Sequence, residues 1–469
     1  MSEGKFFEQA KASSTEEFRR HGHQVVDWIA DYLAHPERYP VLPNVSPGDL
    51  TDALPHSGPE QPEPMSEILK DFESLIVPAI THWNHPGFMG YFSVTATGPG
   101  ILGEMLSAAL NQNGMLWKTS PAVTELEQVT LSWLREWLGL PDPLFGQIFD
   151  TASTGVMHAI AAARECADPQ VRIRGGSRDL VLYTSEHAHN SVEKGAIAIG
   201  IGQQNVRKIS TDAEFRMRPD ALTAAIERDR AAGLRPFCVV PTVGTTSTSS
   251  IDPIPAIADI TERFGLWLHV DAAYGGAAAL APEFRHVLDG ADRADSLIMN
   301  PHKWMGIPVD LSVLYTRKPE IFQRAFSLVP EYLRTAEDSR VVNYMDYGVP
   351  LGRRFRALKL WFVMRYYGRE GLAARIRDHV AWAQELASTI AADSRFELCA
   401  PVPLSLICFR RRGSDEANRE LLDKVNGTGE IFLSHTALHG RFVLRLAIGN
   451  HSTTRAHVQR AWELIQAAA

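Results

Sequence analysis

The 469-residue chain is 45% hydrophobic and 22% charged, the balance of an ordinary globular protein of two or three domains. Its net charge of −8, with both signs interspersed, offers no basic face for nucleic acid or an anionic membrane. No run approaches the roughly 20 apolar residues that span a bilayer, and the N-terminal MSEGKFFEQAKASSTEEF lacks the apolar core of a secretory leader. The cysteines Cys166, Cys238, Cys399 and Cys408 show no C-x-x-C spacing. Free thiols in a reducing cytosol are therefore expected, rather than a disulfide framework or a zinc site.

Ser14-Thr15-Glu16-Glu17 reads as a capping box with Ser14 as N-cap, and the helix it opens ends before Pro36. Phe18, Val25, Trp28, Ile29, Tyr32 and Leu33 give this helix an apolar face. A linker rich in proline and acid follows, so the face packs either on a second subunit or back on its own chain. From Trp83 to Leu140 the pattern is mostly helical, broken at Thr95–Gly100, and Pro121 falls in the first turn of a long buried helix.

Between residues 147 and 317 short apolar runs alternate with helical stretches. The runs are 147–149, 180–183, 206–209, 237–241, 266–270, 296–299 and 312–315, and helices are expected at 155–166, 191–199, 220–231 and 254–264. This alternation predicts an α/β domain around a mainly parallel seven-stranded sheet, with ligands bound beyond the carboxyl ends of its strands. Residues 326–350 read as a long loop of the kind that forms functional lids. A strong amphipathic helix from Arg353 to Tyr367 then leads to a small α+β unit with strands at 405–410 and 442–448.

The chemistry gathers where the runs end. Lys303, in Asn300-Pro301-His302-Lys303-Trp304, lies just past one run, and Asp271 closes another. An amine and a carboxylate at two buried strand mouths suit pyridoxal phosphate (PLP), which a lysine holds through its aldehyde carbon and an acid through its pyridinium nitrogen. Asp271 also reads as a simple strand-end cap. Thr151, Ala152 and Ser153 open a helix after a strand, where free N–H groups make either a phosphate cradle or an ordinary cap. His187 or His189 suits stacking on a flat ring, or sits in a solvated loop. The hydroxyls of Thr245–Thr248 either reach a cofactor or cap a turn. No single signal decides, but their order along the chain is the one that a single PLP site requires.

With THW at 81–83, SPAVTELE at 120–127, HVDAAY at 269–274, NPHKW at 300–304, PLGRRFRALKLWF at 350–362 and VQRAWE at 458–463, the chain resembles the aromatic-L-amino-acid decarboxylases. These belong to the group II PLP-dependent decarboxylases of the aspartate aminotransferase superfamily, fold type I. The resemblance implies that Lys303 carries the cofactor covalently and that Asp271 pairs with its pyridine nitrogen. It implies that His189 stacks on the ring with Ala273 on the other face, that Thr246 touches the ring, and that Ala152, Ser153, Asn300 and His302 hold the phosphate. Tyr332 matches the tyrosine that protonates the substrate α-carbon after carbon dioxide leaves, with help from His189. Trp83, Tyr91, Phe92, Asn113, Met115 and Gly352 match the substrate pocket, with Asn113 and Met115 reaching into a partner's site.

The resemblance further implies a cytoplasmic homodimer with an N-terminal helical arm (1–85) wrapped over the partner, a large PLP-binding domain (86–378) and a small C-terminal domain (379–469). The expected reaction is decarboxylation of an aromatic L-amino acid to its arylethylamine. Two other activities share the scaffold. Aldehyde synthases of the wider group differ at the lid tyrosine or the stacking histidine, and both positions here keep the decarboxylase residue. An aminotransferase needs an arginine on the α-carboxylate, for which Arg445 is a candidate. Gly352 matches a position that is glycine in tryptophan-selective plant relatives, which leaves room for an indole.

Overall fold

The computed structural model describes residues 15–176, 178–328, 333, 335–338 and 340–469. The expected Ser14 cap and Tyr332 lie outside the described residues. The first helix, α1, spans Thr15–Ala34 and stops ahead of Pro36; none of its side chains is buried. Helix α2 (Gly98–Leu110) and helix α3 (Pro121–Leu138) follow, each with a proline near its start, where the missing N–H costs nothing.

The centre is a seven-stranded sheet in the order β1-β7-β6-β5-β4-β2-β3. Its strands are β1 (Phe145–Phe149), β2 (Leu180–Ser185), β3 (Val206–Ile209), β4 (Arg235–Val240), β5 (Trp267–Asp271), β6 (Ser296–Met299) and β7 (Ser312–Thr316). All seven expected strands are present, extended by a residue or two at some ends. Pairing is parallel through β3, β2, β4, β5 and β6, while β7 runs antiparallel to both β6 and β1. A parallel return would need a helical crossover. The 300–311 connection has none, so β7 comes straight back, and the lysine turn sits in that connection.

Both faces of the sheet are covered, which explains why its strands read as continuous apolar runs. In β2, Val181 and Tyr183 join the core on one face while Leu180 and Leu182 join the core on the other, all fully buried. Each such aliphatic side chain contributes about 2 kcal/mol of transfer free energy. The helices packed here include α4 (Ala152–Ala167), α5 (Ser191–Ala198), α6 (Pro219–Ala231), α7 (Ile254–Phe264) and α8 (Pro319–Phe326).

Helix α9 runs Arg356–Ala392, with Gly368 (φ 64°) outside helical geometry one residue after the expected end at Tyr367. It starts three residues later than the apolar pattern suggests. The Arg353 backbone is instead held by the 113–114 turn: its N–H donates to Asn113 Oδ1 and its carbonyl accepts from Gly114 N–H. The C-terminal unit holds a four-stranded antiparallel sheet, β10-β11-β9-β8. Its strands β8 (Phe396–Leu398) and β10 (Ser434–Leu438) were not expected beside β9 (Leu406–Arg411) and β11 (Arg441–Ala447). Strand β8 is three residues long, and β10 buries only its two ends, so neither leaves a legible alternation. Helices α10 (Asp415–Asn426) and α11 (Arg455–Ala468) complete the unit. Within the expected 326–350 loop, Tyr344–Tyr347 forms a short 3-10 turn with three of its side chains buried.

Candidate active site

A cavity of about 200 Å³ opens at the carboxyl ends of β1, β2, β4, β5 and β6. Its lining includes Thr151, Ala152, Ser153, His189, Thr246, Asp271, Ala273, Asn300, His302 and Lys303. Every residue expected to hold the cofactor therefore meets in one place. The lining also includes Phe92, Ser191, Thr242, Gly244 and Tyr274, and of these only Phe92 was expected. Thr242 follows the end of β4 and Ser191 follows His189 by two residues, so chain position was the only available signal for them.

Lys303 lies half-buried in the turn between β6 and β7, with Nζ 5.6 Å from the centre of the Phe92 ring. Burial pulls its ammonium pKa down, partly opposed by the Asp271 carboxylate. Asp271 is 3% exposed at the end of β5, where its Oδ1 accepts from Ala273 N–H at 3.0 Å. An isolated buried carboxylate is costly, so this one needs a cationic partner in the cavity.

His189 is oriented by Ser191, whose N–H (3.1 Å) and hydroxyl (2.9 Å) both reach Nδ1. Its proton is thereby placed on Nε2. Burial and the nearby Lys303 ammonium lower its pKa, keeping the ring neutral. His302 has the same polarity: Leu311 N–H donates to Nδ1 at 3.0 Å, leaving Nε2–H as a donor. Burial, and then Lys303, push its pKa down to about 4. Asn300 Oδ1 accepts from the Ser312 hydroxyl at 2.7 Å, which leaves its amide N–H groups free to donate.

Helix α4 meets the cavity with its first turn. Thr151 is its N-cap, accepting from Thr154 N–H at 3.5 Å, so the plain capping role holds as well. The N–H groups of Ala152 and Ser153 are left free by helix geometry, and they lie where an anion gains from the helix dipole. Thr242 Oγ1 is a buried hydroxyl in the lining with no partner among the described residues. The donors of α4, Asn300 and His302, the Asp271 carboxylate and the Lys303 amine thus all belong to one cavity. That donor set fits PLP: a phosphate end, an acid for a ring nitrogen, an amine for an aldehyde, and an unsatisfied hydroxyl.

Arg445 on β11 does not serve as a free carboxylate grip. Its guanidinium donates to the carbonyls of Gly90, Thr246 and Ser247 and to the Ser434 hydroxyl. It fastens the Thr246 loop to the C-terminal unit, so the feature expected of an aminotransferase is absent at this position. The other substrate-side residues lie apart from the cavity. Trp83 and Tyr91 stack in an aromatic group with Phe88. Asn113, Met115 and Gly352 form a separate cluster: Asn113 Oδ1 is used by Arg353 N–H, and its Nδ2 lies 3.7 Å from Met115 Sδ. A Cβ added at Gly352 would sit in ordinary van der Waals contact with the Asn113 amide, at 3.9 Å.

Comparison with known proteins agrees with this chemistry. The model of the pyridoxal-dependent decarboxylase conserved domain matches residues 47–412. The chain is 44% identical to an aromatic-L-amino-acid decarboxylase of Bos taurus, over 96% of this chain and 95% of that protein. It is 41% identical to a phenylacetaldehyde synthase of Arabidopsis thaliana, over 97% and 96% of the two chains. The crystal structure of Oryza sativa TDC with PLP and tryptamine superposes with a TM-score of 0.94 at 39% identity, covering 97% of this chain and 98% of that one. The chain belongs to the pyridoxal-dependent decarboxylase family, with pyridoxal phosphate as its cofactor.

Proposed function

We propose that this protein decarboxylates aromatic L-amino acids, of the tryptophan, tyrosine, phenylalanine, DOPA or 5-hydroxytryptophan type, to the arylethylamine and carbon dioxide. The observation that carries this reading is the convergence of Lys303, Asp271 and His189 with a phosphate-end donor set in one cavity. Bound there, PLP supplies an electron sink for the pair released when the Cα–carboxylate bond breaks.

The chain's own residues do the rest. Lys303 would hold the cofactor, and desolvation raises its un-ionised, nucleophilic fraction. Asp271 would keep the pyridine nitrogen protonated. Thr151, Ala152, Ser153, Asn300 and His302 would hold the phosphate, while His189, Ala273 and Thr246 would contact the ring. Exclusion of bulk water around the substrate would favour loss of its carboxylate. Tyr332, helped by His189, would return the single proton that the substrate α-carbon needs once carbon dioxide has left.

A purified sample loaded with PLP should release carbon dioxide without any keto-acid acceptor and form arylamines from a mixed panel of amino acids. Activity confined to glutamate or histidine would overturn the substrate class. The retained His189 and Tyr332 make amine, and not aldehyde, the expected product. Stoichiometric hydrogen peroxide and aldehyde would instead select the synthase reading, which the Arabidopsis relative keeps in view.

We also propose a homodimer in which the 1–85 arm covers the partner, built on the expected division at 86–378 and 379–469. Leu102, Met105, Leu106 and Leu110 form an exposed apolar row on α2, and Phe18 and Val26 are exposed on α1. A second copy would cover these faces and bring the Asn113–Met115–Gly352 cluster, with Trp83 and Tyr91, toward substrate. Light scattering should give twice the chain mass, and Leu106→Glu should shift it to that of one chain. A cytosolic location follows the four free thiols, and cell fractionation checks it.

A further inference from the structure

The turn that carries Lys303 belongs to no sheet or helix. Its backbone is closed by the Lys303 N–H bond to the Asn300 carbonyl (3.0 Å) and a long Gly306–Lys303 bond (3.4 Å), and is tied to its surroundings by His302 N–H to the Leu311 carbonyl (3.3 Å) and Thr97 N–H to the Gly306 carbonyl (3.2 Å). A lysine that must present its amine to one carbon atom needs firmer support. Side chains on both flanks supply it. His302 is locked by Leu311 N–H, as described. Trp304, on the other flank, is held at two points by the last quarter of the chain.

The Trp304 indole N–H donates to His379 Nδ1 at 2.9 Å, and its carbonyl accepts from His451 Nε2 at 3.2 Å. Both histidines are otherwise unused by the chemistry. The indole also belongs to a column of near-parallel rings. Phe92 lies on Tyr274 (3.6 Å between centres, 10°), Tyr274 on Trp304 (4.7 Å, 9°), and Trp304 is coplanar with His379 to within 2°. Phe92 is the ring beneath the Lys303 amine, while Tyr274 follows Ala273, whose N–H binds Asp271. Gly306 (φ 67°) lets His451 come close, since a Cβ there would lie 2.7 Å from His451 Nε2.

We infer that His379 is a positioning residue for the covalent attachment of the cofactor: through the Trp304 hydrogen bond and the Phe92–Tyr274–Trp304 column it fixes Lys303 against the cavity. The inference rests on the PLP reading above. A column that only filled space would tolerate loss of the N–H bond with no change at the amine.

The test compares His379→Leu, Trp304→Phe, their double variant and His379→Asn, which keeps an acceptor near the Nδ1 position. Each apoprotein is titrated with PLP, following visible absorption, and the pH midpoint of that absorption is measured in each loaded protein. His379→Leu and Trp304→Phe should each weaken the PLP Kd about tenfold, the worth of one buried hydrogen bond with its donor or acceptor orphaned. The double variant should lose no more than either single one, because both remove the same bond. His379→Asn should recover most of the affinity and the wild-type pH midpoint. Unchanged Kd and midpoint with only a lower melting temperature, or additive losses in the double variant, overturns the inference. Trp304→Phe keeps the ring and carries the test alone if His379→Leu does not fold. Separately, a wild-type protein with no visible band, or a Lys303→Ala variant that keeps one, overturns the PLP reading beneath it.

Discussion

Lys303 and Asp271 are each unremarkable as residue types; their placement at two adjacent strand ends makes them reactive. Desolvation lowers the Lys303 pKa, and the buried Asp271 carboxylate gains a cationic partner when the cofactor binds. Removing the Asp271 charge while keeping its shape, as Asp271→Asn, should lower kcat about a hundredfold, comparable to deleting one preorganised electrostatic contact. Steady-state amine production measures it, and a loss of less than a few-fold would remove Asp271 from the reacting centre. At this scale the sequence was highly legible, because the lysine, the acid and α4's first turn each sit where an apolar run stops. What it hid were residues without a distinctive chemical type or neighbour. Thr242 is one threonine among several, and nothing local marks its hydroxyl as unpartnered. Arg445 stayed open for the opposite reason: an arginine on a late strand suggests an anion, and only the fold reveals the carbonyls it already serves.

Among the elements, α2 and α9 come together more closely than ordinary side chains permit. A Cβ on Gly103 would lie 2.7 Å from the Lys359 Cα, and beside this approach the buried Lys359 amine pairs with Glu104 at 2.8 Å. Burial lowers the Lys359 pKa, and Glu104 opposes the shift. Gly103→Ala should therefore destabilise the protein by about 1–3 kcal/mol through overpacking against backbone, seen as a lower denaturant midpoint with an unchanged slope. The PLGRRFRALKLWF stretch distributes its cations in the same spirit. Arg353 reaches Glu127 (2.7 Å), Arg356 reaches Asp310 (2.9 Å), and Arg354 also meets Glu104. The sequence announced this stretch as a helix, but not that its first two arginines would precede the helix and hold neighbouring elements. Strands β8 and β10 stayed invisible because short edge strands of mixed polarity carry too little alternation to stand out from loops.

Over the whole molecule, burial of imidazoles sets the response to acid. His85, His302 and His451 are pushed down to about 4 and His269 to about 3, in each case chiefly by desolvation. Their unfolded value is near 6.5, so between pH 6.5 and 4 the unfolded chain binds protons that the native one refuses, and stability falls as pH drops. Asp252 works the other way. Burial raises its carboxyl to about 7, so below that pH the native state holds a proton that the unfolded chain releases until about pH 3.9. From these five groups alone, four imidazoles against one carboxyl, unfolding near pH 5 takes up about three protons, a slope of about 4 kcal/mol per pH unit. Denaturant titrations at pH 6.5, 5.5 and 5.0 should show steadily falling stability, and a flat profile would contradict the burial of these rings.

The described cavity lining runs from Phe92 to Lys303, yet the groups that steady it, His379, Arg445 and His451, come later in the chain than any lining residue. A ribosome finishes the binding surface well before it finishes the scaffolding. A nascent chain that has emerged through Lys303 owns each lining residue and still lacks the clamp on Trp304 and the fastening of the Thr246 loop. Cofactor capture is thus expected to wait for synthesis and docking of β11 and the His451 segment. Proteins cut short after about residue 440 should leave the ribosome without retaining PLP, although the truncation removes nothing that lines the cavity.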